Sequence, residues 1–332
     1  MKELAIIGGG GWGTALAIVL SPRFSRVQLW VYEDDLAKRL SASRQNDLYL
    51  PGLQIPGNVQ VVTRFAEALE EAEVVLGVMP SHHARGIYRE MLPYLEPSML
   101  LVSATKGLEN GTLLRMSEVI REVVNTRFEP NVAVLSGPTF AREVAAGEPT
   151  AVVIASTNPE TAMRIQAGFS GPTFRLYTNS DPIGVEVGAA VKNVIAIGAG
   201  VCQGLGLGSN AIAALITRGL AEITRLAVAM GAKPLTLSGL AGLGDLVLTC
   251  TGELSRNRSV GIRLAQGEKL DQIVSSMRMV AEGIKTTYAA VELGRDLGVE
   301  LPIANQMYEV LRHGKPPNEA IRELMDRALK AE

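Results

Sequence analysis

The chain has 332 residues, 47% hydrophobic and 20% charged, with a formal net charge of −2. That length exceeds one ordinary core and suits two domains. The near-neutral balance, without a Lys/Arg run, leaves no electrostatic footprint for nucleic acid. Two cysteines, Cys202 and Cys250, are too few for a disulfide framework and point to a reducing compartment, and the apolar run at Leu4–Ile7 is too short for a signal peptide.

Along the first half, short apolar runs alternate with amphipathic ones. Strands are expected at Leu4–Ile7, Val27–Tyr32, Val59–Val62, Val74–Met79, Met99–Ser103, Val132–Leu135, Ala151–Ala155 and Phe174–Thr178. Helical patterns fall between most of them, at Thr14–Leu20, Asp34–Arg44, Phe65–Ala72 and Leu113–Val124. That alternation predicts an α/β domain with a mostly parallel sheet covered on both faces. Beyond Asp181 the strand signal stops. Ser209 can cap a long helix to Met230 with Gly231 just past its end, and Arg218, Glu222 and Arg225 are spaced for ion pairs on it. Helical periodicity continues through Ile284–Leu297, Ala304–Leu311 and Asn318–Leu329. The domains therefore read as 1–180 and an all-helical 181–332. The apolar stretch Ile183–Cys202 holds Glu186, Lys192 and Asn193. A charge at a bilayer centre costs about 2.5–3.5 kcal/mol, so the stretch reads as a helix buried in protein and no membrane insertion is expected.

Gly8-Gly9-Gly10-Gly11-Trp12-Gly13 fits G-x-G-x-x-G, follows a strand and opens a helix, the context that makes this pattern specific for a dinucleotide. Gly8 permits the tight turn, Gly10 the approach of backbone to a pyrophosphate, and Gly13 close helix–strand packing. The helix N-terminus adds free N–H groups for the phosphates. Glu33, twenty residues past Gly13, stands where an acid accepts from a ribose 2′-hydroxyl and repels a 2′-phosphate, which favours NAD over NADP. Alternatively Glu33 faces solvent and Tyr32 covers the adenosine. His82 and His83 read as solvated helix-start residues. No carboxylate, His or Cys cluster has ligand spacing, so no metal is expected.

Lys192 sits mid-helix among Val185, Val191, Val194 and Ile195. Desolvation lowers the pKa of such a lysine and suits it to protonate a carbonyl oxygen during hydride transfer. A snorkelling lysine is the alternative reading of the helix alone. Lys106, in Ser103-Ala104-Thr105-Lys106-Gly107 after a strand, tips the balance: two lysines at one cleft imply an anionic substrate. Ser255, Arg256, Asn257 and Arg258, at an expected helix start, combine charge, fork geometry and free N–H groups for a phosphate. Asp245, ending Gly239-Leu240-Ala241-Gly242-Leu243-Gly244-Asp245, can orient Lys192 or bind a substrate hydroxyl. Substrate entry between the two domains is expected.

With these motifs in view, the chain resembles the bacterial-type NAD(P)-dependent sn-glycerol-3-phosphate dehydrogenases along essentially its whole length. The matching segments are Gly8–Ala17, Ser103–Gly107, Ser136–Ala141, Val191–Gly200, Gly239–Gly261 and Val280–Thr287. The resemblance implies a Rossmann-type N-terminal domain and a helical catalytic one. It implies interconversion of sn-glycerol 3-phosphate and dihydroxyacetone phosphate with NAD(H) or NADP(H). It makes Lys192 the proton-transferring group and puts Lys106, Gly137, Thr139, Asp245, Ser255, Arg256 and Asn257 around the substrate. Gly11, Trp12, Ala141, Arg256, Val280 and Glu282 would line the dinucleotide, joined by Lys106, Tyr32 and Tyr49. The family implies a cytoplasmic homo-oligomer, mostly a dimer, supplying glycerol 3-phosphate for phospholipids. One departure stands out: many relatives carry a basic residue or histidine near Tyr32-Glu33, and this chain does not.

Overall fold

Runs dense in Val, Leu and Ile pack well on a pleated surface and become strands. In a computed structural model describing residues 1–277 and 281–329, the unit Met1–Glu186 holds ten. They are β1 (Glu3–Ile7), β2 (Arg26–Trp30), β3 (Gln45–Asn46), β4 (Leu50–Gln54), β5 (Val59–Val62), β6 (Val74–Gly77), β7 (Leu100–Ser103), β8 (Asn131–Ser136), β9 (Thr150–Ala155) and β10 (Phe174–Asn179). Eight form one sheet in the order β5-β2-β1-β6-β7-β8-β9-β10. Every neighbouring pair is parallel except β8 with β9. Both faces are covered: on β1, Leu4 and Ile6 enter one buried cluster, Ala5 and Ile7 the other. The mostly parallel sheet is therefore as expected, with strand ends shifted by a residue or two. From β5 at one edge the chain returns to β6 on the far side of β1. This reversal puts a topological switch point beside the carboxyl ends of β1 and β6, where ligands bind in open α/β sheets.

The antiparallel hairpin β3–β4 lies outside the large sheet and was not anticipated. Pro51 and Gly52 interrupt β4, and both weaken a strand pattern.

The second unit, Val187–Glu332, contains only helical elements among its described residues. The main helices are Pro182–Gly204, which begins in the first unit, then Ser209–Ala229, Asp245–Thr251, Arg256–Ala265, Leu270–Ser276, Glu282–Asp296, Pro302–His313 and Pro317–Met325. The apolar stretch of Pro182–Gly204 is wholly buried. Its glycines bring it to backbone contact with Arg256–Ala265. A Cβ on Gly261 would lie 2.0 Å from the Ile197 carbonyl oxygen, and one on Gly200 2.0 Å from that of Arg258. Two local expectations need correction. Gly208, not Ser209, is the N-cap of Ser209–Ala229, and Ser209 is its first helical residue. Glu222 does not serve as a surface ion-pair partner. It is buried, and its carboxylate accepts from the amides of Ile303 (2.7 Å) and Ala304 (3.2 Å), the first turn of Pro302–His313.

Candidate active site

In the first unit the chain leaves β1 through Gly8 at φ +131°, where a side chain would strike the Val78 carbonyl oxygen at 2.3 Å. A Cβ on Gly13 would sit 1.8 Å from the Gly8 oxygen, so the helix Gly11–Leu20 starts against the turn it follows. Gly10 differs: a Cβ there would meet nothing within 4 Å. Gly10 is also the N-cap, with no side chain bonded to the first turn and no acid in it. Open space at unscreened N–H groups is the donor set a pyrophosphate fits. Trp12 follows, its indole N–H buried and without a protein partner.

The hairpin β3–β4 braces this loop. Asn46, fully buried, donates to the Gly9 carbonyl (2.9 Å) and to Thr14 Oγ1 (2.7 Å) and accepts from the Tyr49 amide (3.0 Å). Tyr49 then donates through its hydroxyl to Glu33 Oε1 at 3.4 Å. Burial, with the Glu33 charge added, pushes the Tyr49 phenol above its ordinary pKa. Tyr32 is exposed and packs its ring near Trp30.

Lys106, Gly137 and Thr139 come together because β7 and β8 are parallel neighbours ending side by side. Lys106 Nζ donates to the Gly137 carbonyl and to Thr139 Oγ1, each at 3.2 Å. Gly137 needs its missing side chain: at φ +151° a Cβ would lie 2.9 Å from Val152 Cα. Ala141 opens the short helix Ala141–Ala145 after this turn. His82 and His83 lie in the first turn of Ser81–Met91, with rings 4.1 Å apart.

In the second unit, a Cβ on Gly188 would lie 2.9 Å from the Ala241 carbonyl oxygen. Helix and glycine turn therefore touch there, and four residues on in each segment Lys192 meets Asp245. Lys192 Nζ bonds the carboxylate of Asp245 and donates to Thr249 Oγ1 at 3.0 Å. Thr249 donates back to the Asp245 carbonyl at 2.6 Å. Lys192 is 4% exposed, Asp245 0%. Among the apolar neighbours read from the helix, the charge of the lysine is met by a buried carboxylate, the arrangement a buried ammonium requires. Of the two readings of Asp245, the contact is with Lys192. Thr249 was missed; a threonine inside Leu246-Val247-Leu248-Thr249-Cys250 carries no local signal. Burial pushes the neighbouring Cys250 thiol up to about 12, which keeps it from acting as a thiolate at neutral pH.

Ser255 caps Arg256–Ala265, its hydroxyl oxygen accepting from the Arg258 amide at 3.3 Å. Arg256 is exposed and lies within electrostatic reach of Glu282. Asn257 is buried. Its amide donates to Asn193 Oδ1 (2.9 Å) and its carbonyl accepts from the Gly283 amide (3.1 Å). Asn193, also unforeseen as a partner, thus ties the phosphate candidate helix to the residue beside Lys192. Val280 lies outside the described residues.

A glycine-loop dinucleotide fold and a separate helical unit with a buried lysine–aspartate pair define a nicotinamide-dependent dehydrogenase. Two family descriptions match: NAD-dependent glycerol-3-phosphate dehydrogenase N-terminus over residues 3–162 and its C-terminus over residues 181–322. The chain belongs to the NAD-dependent glycerol-3-phosphate dehydrogenases. It is 56% identical over 329 residues to a glycerol-3-phosphate dehydrogenase [NAD(P)+] of Koribacter versatilis, covering 98% of both chains. It is 51% identical over 331 residues to one from a Geobacter species, covering 100% of this chain and 99% of the relative. The crystal structure of glycerol-3-phosphate dehydrogenase from Coxiella burnetii superposes with a TM-score of 0.94 at 39% identity, covering 98% of this chain and 99% of that one.

Proposed function

We propose that the chain interconverts sn-glycerol 3-phosphate and dihydroxyacetone phosphate with an NAD(P)(H) cofactor, and that Lys192 moves the proton. The observation that carries this reading is the buried Lys192–Asp245–Thr249 cluster within a chain of this family. The open space at Gly10 and the bare helix N-terminus after it would hold the pyrophosphate, with Trp12, Ala141 and the Tyr49–Glu33 pair along the rest of the dinucleotide. Bound nicotinamide supplies the hydride to the carbonyl carbon, or takes it up in reverse. Lys192 holds its proton at Nζ for the carbonyl oxygen, and Asp245 and Thr249 fix where that Nζ points. Lys106 adds positive field for the developing alkoxide, its own position set by Gly137 and Thr139. Arg256, the Ser255 hydroxyl and the first N–H groups of Arg256–Ala265 hold the substrate phosphate. The Asn257 amide carries bonds to Asn193 and Gly283, so it acts first by setting this helix start. That remote binding energy orients the reacting carbon.

The wider context proposed is a cytoplasmic homodimer that supplies glycerol 3-phosphate for phospholipid synthesis, without membrane insertion. The test of the reaction is dihydroxyacetone phosphate-dependent loss of absorbance at 340 nm with NADH and with NADPH. Turnover with either supports the assignment. Folded protein that binds a dinucleotide but oxidises neither sinks it.

A further inference from the structure

We infer that Glu186 is a positioning residue for Lys192: its buried carboxylate, held by Arg115 and Ser117, fixes the register of the helix that carries the lysine. The inference rests on the proton role proposed above for Lys192 and deepens it. The helix Pro182–Gly204 is built largely of Gly, Ala, Val and Ile, and its apolar stretch is wholly buried. So smooth a surface specifies rotation and slide weakly. A buried polar group fixes register at a cost in stability, and that is the best-attested use of such groups. The buried polar or charged side chains of this helix are Glu186, Lys192 and Asn193. Lys192 and Asn193 find partners in the second unit, at Asp245 and Asn257. Glu186 finds its partners in the first unit.

Those partners converge on the carboxylate. Glu186 Oε1 accepts from the Ser117 amide at 2.8 Å, and Oε2 accepts from Ser117 Oγ at 2.6 Å and from Arg115 Nη1 at 2.7 Å. The Ser117 amide lies in the first turn of Met116–Val124, so the positive end of that helix adds to the guanidinium. Three donors thus meet a group that only accepts when ionised. Burial pushes the Glu186 carboxyl up, and the Arg115 charge and the Ser117 bonds oppose that push. A buried ion pair is weak evidence for stability, which leaves orientation as its use. Its fixed end belongs to the loop that carries Lys106. Arg115 forms an antiparallel bridge with Leu108, two residues past Lys106, and the Glu109 amide donates to the Leu114 carbonyl at 2.9 Å. The Arg85 fork holds Glu109 from the neighbouring helix Ser81–Met91. One braced loop therefore places Lys106 at its start and clamps the start of the Lys192 helix at its end. Lys192 lies six residues beyond Glu186, about 9 Å along the axis and roughly 120° around it, so the carboxylate acts through the helix and not by contact. A slip of one residue moves a helix by about 1.5 Å, and a misplacement of about 1 Å costs on the order of 10²-fold in rate.

The experiment compares Glu186→Gln and Arg115→Met/Glu186→Met with the parent, each as the full chain. Melting temperature and dinucleotide binding by fluorescence report folding. Values of kcat and KM for dihydroxyacetone phosphate are taken well below each melting temperature. Lys192 is also read without turnover, from its rate of acetylation by acetic anhydride located by mass spectrometry, with the exposed Lys38 as reference. Glu186→Gln leaves the buried guanidinium without its charge partner and should lower the melting temperature. The double substitution replaces the pair by apolar groups and should restore it. In both, dinucleotide binding and KM should hold, kcat should fall by about tenfold or more, and Lys192 should acetylate faster relative to Lys38. A purely structural pair would instead return kcat together with the stability. Recovery of kcat in the double variant to within about tenfold of the parent, or an unchanged labelling rate at Lys192, overturns the proposal. Should either variant fail to fold, Glu186→Asp, which keeps the charge and draws it back by one methylene, is read in the same way. Loss of turnover in Lys192→Ala but not in the Glu186 variants overturns the positioning role and keeps the proton role. A parent that does not reduce dihydroxyacetone phosphate, with Lys192 labelling still dependent on Glu186, overturns the reaction and keeps the positioning.

Discussion

The two units make their sites by opposite means. In the first, the glycine loop works through what is missing: Gly8 and Gly13 leave no room for a side chain, and Gly10 leaves room for a ligand. In the second, Lys192, Asp245 and Thr249 work through what is present, charged and polar groups buried together. A site of absent side chains needs only local backbone. A site of buried charge needs a whole packed unit, because each group must meet its partner or remain desolvated at a cost of several kcal/mol. The contrast predicts that changes at the buried Lys192–Asp245–Thr249 cluster act on chemistry and folding together, while changes at Gly10 act on binding alone.

The largest effect is expected at Lys192. Lys192→Ala should cut kcat by about 10²–10⁴-fold, the usual worth of a positioned acid or base. Dinucleotide binding, followed by fluorescence, should persist. Because removal of the lysine strands the buried Asp245 carboxylate, thermal stability should fall as well. Lys192→Ala/Asp245→Ala should recover part of that stability and none of the rate. Turnover within about tenfold of the parent would remove Lys192 from proton transfer.

Arg256→Ala comes next. A charged hydrogen bond is worth about 1.5–3 kcal/mol, so KM for dihydroxyacetone phosphate should rise by roughly 10–100-fold. As Arg256 is exposed, the melting temperature should barely move. An unchanged KM would put the phosphate elsewhere. Gly10→Ala probes the opposite unit. Gly10 sits at φ −72°, which alanine adopts freely, and its Cβ would touch no protein atom. Stability should therefore hold within about 0.5 kcal/mol, while dinucleotide affinity falls by about tenfold. Equal affinity would mean that no pyrophosphate lies over Gly10.

The same contrast explains what could be read from sequence. The glycine loop is contiguous, so Gly8, Gly10 and Gly13 announce themselves within six residues. Lys106 could be placed because it follows an apolar run that ends at the ligand edge. The Tyr49–Glu33 contact was hidden, since Pro51 and Gly52 mask the hairpin that carries Tyr49. The reversal of β9 was hidden too, because an apolar run covered on both faces carries no mark of direction. In the helical unit Lys192 and Asp245 were each legible as polar groups in apolar or glycine-rich surroundings. Their distances to Thr249 and to Asn193–Asn257 depend on Gly188, Gly200 and Gly261 letting backbones touch, a long-range fact with no local pattern.

The effect sharpest in sign concerns one buried carboxylate from each unit. Glu109 accepts both arms of the Arg85 fork at 2.8 Å, and that pairing holds its carboxyl below the ordinary value. Its contribution to stability is present above the unfolded value near 4.5 and is lost as pH falls through the lower folded one. Glu222 has two backbone amides and no comparable fork, so burial dominates and its carboxyl is pushed up to about 7. The folded chain then binds more protons there than the unfolded chain between pH 4.5 and about 7, and stability from this group is full at the acid end and declines as pH rises through that window. Glu222→Gln should abolish that decline, so its melting temperature relative to the parent should climb between pH 4.5 and 7. Glu109→Gln should show the reverse trend, confined to lower pH: the parent's advantage shrinks on acidification. A difference for Glu222→Gln that stays flat from pH 4.5 to 7 would mean the two amides outweigh burial and keep the group ionised, as the guanidinium does for Glu109.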